Sequence, residues 1–192
     1  MMTDMELLTD EEGRLATTLA CESLIHAVAG KKAADHQLPP VFSEKRGVFV
    51  TLTKKKSLRG CIGFPYPYLP LADAIRQAAV AAALEDPRFP QVQDRELSDM
   101  ELEVTVLTVP QPLTVPPAER PVAVVVGKHG LIVKGMGSGG LLLPQVATEW
   151  GWDAKTFLDH TCQKAGLPSD CWKRKEIEIL TFEGQIFHLE KI

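Results

Sequence analysis

A cysteine two residues after an arginine is the combination in this chain best suited to chemistry. Within Leu58-Arg59-Gly60-Cys61-Ile62-Gly63, strand alternation would put Arg59 and Cys61 on one face and Leu58 and Ile62 on the other. A guanidinium beside a thiol favours the thiolate, which is the nucleophilic form. Gly60 and Gly63 weaken a strand unless another backbone approaches closely or a bulge re-aims the chain. Cys61 and Arg59 are therefore the candidate catalytic residues, with Leu58, Gly60, Ile62 and Gly63 as candidate binding residues around them. The competing reading is a small buried Cys61 with Arg59 as an ion-pair partner.

Other motifs carry less chemistry. Asp86-Pro87-Arg88-Phe89-Pro90 follows a predicted helix end, where loop residues can line a site, so Asp86 and Arg88 join the binding candidates and Asp86 is expected to pair with Arg88 or Arg59. Gly135-Met136-Gly137-Ser138-Gly139-Gly140 satisfies G-x-G-x-x-G, but a strand and Pro144 follow where a dinucleotide site needs a helix, so a hairpin turn is expected. His160 and Cys162, at i and i+2 on a helix, point about 200° apart and cannot hold one ion. Cys162 reads as core and His160 as surface, or as a further binding candidate. No metal or cofactor is expected. No base neighbours Cys61 in sequence, so a thiol catalyst would need the fold to bring His129 or His160 near it.

The elements that must position these residues follow from periodicity and punctuation. Thr9 and Glu12 have capping-box spacing ahead of a helix that stops at Gly30. Residues 47–52 and 58–64 form a hairpin around a lysine-rich tip at 54–56. An alanine-rich helix spans 71–85, started by Pro70 and stopped by Pro87. Residues 101–109 alternate as a half-exposed strand. After a proline-rich stretch, residues 122–126, 130–134 and 141–143 read as short strands, 155–165 as a helix closed by Gly166, and 176–179 with 185–189 as a terminal strand pair.

The chain has 192 residues, 45% of them hydrophobic and 24% charged, which are ordinary globular proportions. It has no stretch of about 18 apolar residues, so no membrane span is expected. Residues 1–12 lack the basic flank and apolar run of a secretory signal, and a cytoplasmic location is expected. Cys21, Cys61, Cys162 and Cys171 are scattered and expected as free thiols. The net charge of −4 argues against nucleic-acid binding, since only residues 54–59 form a basic patch.

The hexapeptide resembles the hallmark of the AMMECR family. Further blocks fit in order: Gly47-Val48-Phe49-Val50-Thr51-Leu52, Asp86-Pro87-Arg88-Phe89-Pro90, Gly140-Leu141-Leu142-Leu143-Pro144-Gln145, Gly151-Trp152, and the segment from His160 to Pro168. The resemblance implies one AMMECR-type domain over residues 1–192, of α+β class. Its two subdomains each carry an antiparallel sheet flanked by helices: a larger one of about 1–112 with 174–192, and a smaller one of about 113–173. It also implies a cleft between them, faced by Arg59 and Cys61, with Gln145 and His160 as binding candidates. Related chains occur beside or fused to a radical S-adenosylmethionine protein and a Memo-like protein, which implies these as pathway partners. Two functions compete, a thiol-dependent enzyme or enzyme component and a non-catalytic protein- or peptide-binding module; nucleic-acid binding ranks last.

Overall fold

The computed structural model describes residues 7–32 and 34–192; residues 1–6, part of the opening read as lacking an export signal, lie outside it. In chain order the elements are α1 (Asp10–Ala29), β1 (Val48–Lys54), β2 (Ser57–Phe64), α2 (Leu71–Leu84), β3 (Met100–Leu107), β4 (Gln111–Pro112), α3 (Arg120–Ala123), β5 (Gly130–Gly135), β6 (Ser138–Leu142), α4 (Pro144–Glu149), α5 (Ala154–Lys164), β7 (Glu178–Phe182) and β8 (Gly184–Leu189). They form an α+β protein with two four-stranded antiparallel sheets, ordered β2-β1-β3-β8 and β4-β7-β5-β6. Contacts divide the chain into two units, one running through Thr108 and including Gln185–Ile192, the other Val109–Gly184. No described helix is long and apolar enough to cross a membrane.

In the first unit, the sequence signals at the start of α1 are realised directly. The Thr9 hydroxyl accepts the Glu12 N–H at 3.2 Å, and the Glu12 carboxylate accepts the Thr9 N–H at 2.8 Å, satisfying two donors that a helix start leaves open. Gly30 ends the helix with φ 69°. Val48, Val50 and Leu52 of β1 and Leu102, Val104 and Val106 of β3 are buried in one core with α1 and α2. The alanines of α2 let its backbone lie against the sheet: a Cβ built on Gly60 would overlap the Ala82 carbonyl oxygen. The approaching backbone that Gly60 accommodates is therefore a helix.

In the second unit, Leu131, Val133, Ile177 and Ile179 pack against Phe157 and Leu158 of α5. The Gly-rich motif forms the predicted hairpin turn, with Met136 at φ 53° and Gly137 at φ 77° between β5 and β6. That is the two-residue turn whose twist suits antiparallel strands.

Three expectations are corrected. Residues 176–179 and 185–189 do not form a terminal strand pair, because Glu183 alone separates β7 from β8 and one residue cannot close a hairpin. Instead β7 pairs with β4 and β5, while β8 joins the first sheet, so the boundaries fall at Thr108 and Gly184 rather than near 112 and 174. Residues 122–126 are not a strand: Pro121 lies in the first turn of α3, and the Val124 N–H reaches back to the Arg120 carbonyl at 3.1 Å. Cys162 and Cys171 are bonded as a disulfide with Cα atoms 6.0 Å apart, since the turn Cys171–Lys173 packs against α5; of the four expected free thiols only Cys21 and Cys61 remain.

Candidate functional site

The hexapeptide is the edge strand β2, and one extra residue decides what it displays. Lys54 pairs with Ser57 and Thr53 with Leu58, but the register then shifts, so that Leu52 faces Gly60, Thr51 faces Cys61 and Val50 faces Ile62. Arg59 is the residue left over, a β-bulge. Without it Cys61 would oppose buried Val50 and point into the core; with it Cys61 opposes Thr51 on the other face. A one-residue shift in pairing exchanges the two faces of a strand.

The bulge also overturns the expected Arg59–Cys61 pair. The Arg59 guanidinium donates to Glu96 through Nε and Nη2 at 3.2 and 3.0 Å, and through Nη1 to the Pro90 carbonyl at 2.9 Å. Lys54 shares the same carboxylate at 3.0 Å. The Arg59 hydrogen bonds first, together with the Gln93 backbone N–H and Lys54, outweigh burial and lower the Glu96 pKa to about 2. Ile62 packs on the core as expected, but Leu58 does not: it lies beyond the bulge, opposite Thr53, and is exposed.

Cys61 is half-buried and held from three sides. Its Sγ lies 3.3 Å from Thr51 Oγ1, the cross-strand neighbour. Its backbone N–H donates to Asp86 Oδ2 at 2.9 Å, and its carbonyl accepts from Arg88 Nη2 at 3.3 Å. Asp86 is 95% buried, as its 5% relative exposure shows, and takes three further bonds from Arg88, two from the guanidinium and one from its backbone N–H. The Arg88 hydrogen bonds first, and the two backbone donors after burial is counted against them, hold the Asp86 carboxyl well below the usual carboxylate range. Asp86 reciprocally raises the Arg88 pKa. The segment 86–90 therefore seals the outer edge of β2, which would otherwise expose unpaired backbone groups.

On the face bearing Cys61, pairing continues across the sheet from Thr51 to Glu103 on β3. Glu103 Oε2 lies 3.4 Å from His188 Nδ1 on β8. Thr51, Thr53, Glu101, Glu103 and His188 line a groove of about 490 Å³ beside this row. Glu103 and His188 went unnoticed in the sequence because each lies on a strand that pairs far along the chain. Only the two-residue hairpin tip, Lys55 and Lys56 at φ 51° and 64°, offered a way to count toward Thr51.

Of the remaining candidates, Gly63 packs under the Phe49 ring, which a Cβ there would overlap. Gln145 and His160 belong to the second unit. Gln145 is exposed on α4, and His160 on α5 stacks on Trp152 with ring centroids 3.9 Å apart, next to the exposed Trp150. His129, the other histidine considered, also lies in that unit; its Nδ1 accepts the Val125 N–H, and burial lowers its pKa. Among the described residues no group of three His, Cys, Asp or Glu side chains could hold a metal ion.

Fold and site together define an α+β protein that displays a cysteine from a bulged, sealed edge strand. Residues 17–187 match the AMMECR1 family, and the chain belongs to it. A protein of Methanothermobacter thermautotrophicus is 52% identical over 184 residues, covering 94% of this chain and 96% of its own. A Thermococcus gammatolerans protein is 46% identical over 193 residues, with 97% and 94% covered. The crystal structure of uncharacterized protein PH0010 from Pyrococcus horikoshii superposes with a TM-score of 0.79 at 44% identity, covering 96% of this chain and 94% of that one. None of these names states an activity.

Proposed function

We propose that this chain is a thiol-dependent enzyme, or the thiol-bearing component of one, with Cys61 as nucleophile or thiol donor. The observation that carries this is the placement of its sulfur, 3.3 Å from the Thr51 hydroxyl, on a backbone clamped by Asp86 and Arg88. When the thiol ionises, Thr51 O–H donates to the sulfur and stabilises the anion. Glu103 and His188 offer a carboxylate and an imidazole on the same face, about 10 and 14 Å from Cys61 at two and three strand spacings. A proton would reach them through substrate or water. The family resemblance supports a pathway shared with a radical S-adenosylmethionine protein and a Memo-like protein.

A second reading, a non-catalytic protein- or peptide-binding module, is favoured by one observation. Among the described residues, the only hydrogen-bond partner of the Cys61 sulfur is a hydroxyl, which is no base. One experiment separates the two. The chain is mixed with the radical S-adenosylmethionine and Memo-like proteins, and altered small molecules or proteins are sought by mass spectrometry with native protein and with Cys61→Ser. Loss of the alteration with association intact supports the thiol reading; an unchanged alteration leaves the binding module.

A further inference from the structure

We infer that Arg88 is the anion-recognition residue of the Cys61 site, so that the thiol acts on an electrophile carrying an oxyanion such as a carboxylate. The inference rests on the thiol reading above and names the substrate class for that site. Asp86 grips one edge of the Arg88 guanidinium, through Nε at 3.0 Å and Nη2 at 2.7 Å, and Nη2 also donates to the Cys61 carbonyl. The remaining nitrogen, Nη1, makes no hydrogen bond to a described residue, and the Arg88 side chain is 55% exposed while that of Asp86 is 2% exposed. The guanidinium is thus anchored on its buried side and presents a free N–H edge to solvent next to Cys61. Phe89 lies against it, 5.5 Å from ring centroid to Cζ.

A guanidinium fork fixed in this way is pre-organised for an oxyanion, because the side-chain entropy of holding it has already been lost in folding. Arg59 cannot fill the role, since Glu96 and the Pro90 carbonyl occupy all three of its nitrogens. The Arg88–Asp86 pair is neutral as a whole. Selection therefore comes from directed N–H groups at short range rather than from a long-range field, and its expected size is that of a partly exposed ion pair.

The test compares two alkylating probes on native protein, iodoacetate and iodoacetamide. In both reactions the Cys61 sulfur forms a bond to carbon, the carbon–iodine bond breaks, iodide leaves and the thiol proton passes to solvent. Both consume the same thiolate, so the ratio of their rates cancels the thiolate fraction and reports on recognition of the carboxylate. Cys21 on α1, beside Glu22 and with its pKa raised chiefly by burial, is the internal reference. The iodoacetate-to-iodoacetamide ratio at Cys61 is expected to exceed that at Cys21, and to fall roughly two- to fivefold in Arg88→Gln, the range that partly exposed ion pairs allow. Arg88→Lys, which keeps a cation for Asp86 but loses the fork, should give an intermediate ratio and guards against misfolding of the glutamine variant. A Cys61 ratio no higher than that of Cys21, or one that neither Arg88 variant moves, overturns the inference and leaves the thiol reading standing. Failure of Cys61 to react with either reagent in the folded protein overturns both.

Discussion

The buried Asp86 carboxylate accepts the backbone N–H of Cys61 at 2.9 Å across 25 residues of chain. That bond and the Arg88 contact to the Cys61 carbonyl give the edge strand the partners that a neighbouring strand would otherwise supply. Asp86→Asn keeps the shape but removes the charge that holds Arg88. The expected loss is about 1.5 to 3 kcal/mol, the range for hydrogen bonds to charged groups. Denaturant unfolding reads the loss, and hydrogen exchange at the Cys61 amide should quicken more than exchange in β5.

Glu96 gives the protein an acid-sensitive tie between β2 and the turn Asp94–Asp99. Its folded pKa, about 2, lies below the ordinary 4.5, so its contribution is fully present above pH 4.5 and lost as pH falls from there toward 2. Asp86, also lowered, loses its contribution at still lower pH than its ordinary 3.8. Melting temperature should therefore fall as pH drops below about 4.5. In Glu96→Gln that fall should be shallower, because one of the groups responsible is gone; an unchanged profile would remove Glu96 from the account.

Local signals in the sequence translated well into structure, and long-range ones did not. The Thr9–Glu12 capping box, the alanine-rich α2 and the turn at Met136 and Gly137 each depend on residues within a few positions of one another. The bulge at Arg59 depends on partners far away: Glu96 lies 37 residues on, and the Ala82 carbonyl above Gly60 fixes where the strand can run. Strand alternation without the bulge put Arg59 beside Cys61, and the unbroken count put Leu58 in the core. His188 escaped notice for the same reason, since its place opposite Glu103 exists only once β8 leaves β7 to join the first sheet.

The Cys162–Cys171 disulfide closes a short loop in the second unit. Chain-entropy arguments give about 2.5 to 3 kcal/mol for a loop of roughly ten residues. A reductant should lower the melting temperature, and Cys162→Ser with Cys171→Ser should melt near the reduced protein. Thiol labelling of the native, oxidised chain should modify only Cys21 and Cys61, and two further labels after reduction would account for the bond.

Arg59 and Thr51 make opposite predictions about stability and reactivity, because the bulge assigns one to each side of the strand. Arg59 ties β2 to Glu96 and Pro90, so Arg59→Ala strands a half-buried carboxylate beside Lys54 alone. A loss of about 2 to 3 kcal/mol is expected, within the range for charged hydrogen bonds, while the iodoacetamide rate at Cys61 should change less than about twofold, since surface-range coupling of this size is all that a cation on the far face can exert. Thr51→Val keeps the branched shape and strand propensity of the side chain but removes the hydroxyl beside the sulfur. Stability should change little, whereas alkylation of Cys61 should slow several-fold, because the thiolate loses a hydrogen-bond donor. Paired measurements of unfolding and of alkylation decide the matter. If Arg59→Ala slowed Cys61 more than Thr51→Val did, the two side chains would have to share a face, and the assignment of the bulge to Arg59 would be wrong.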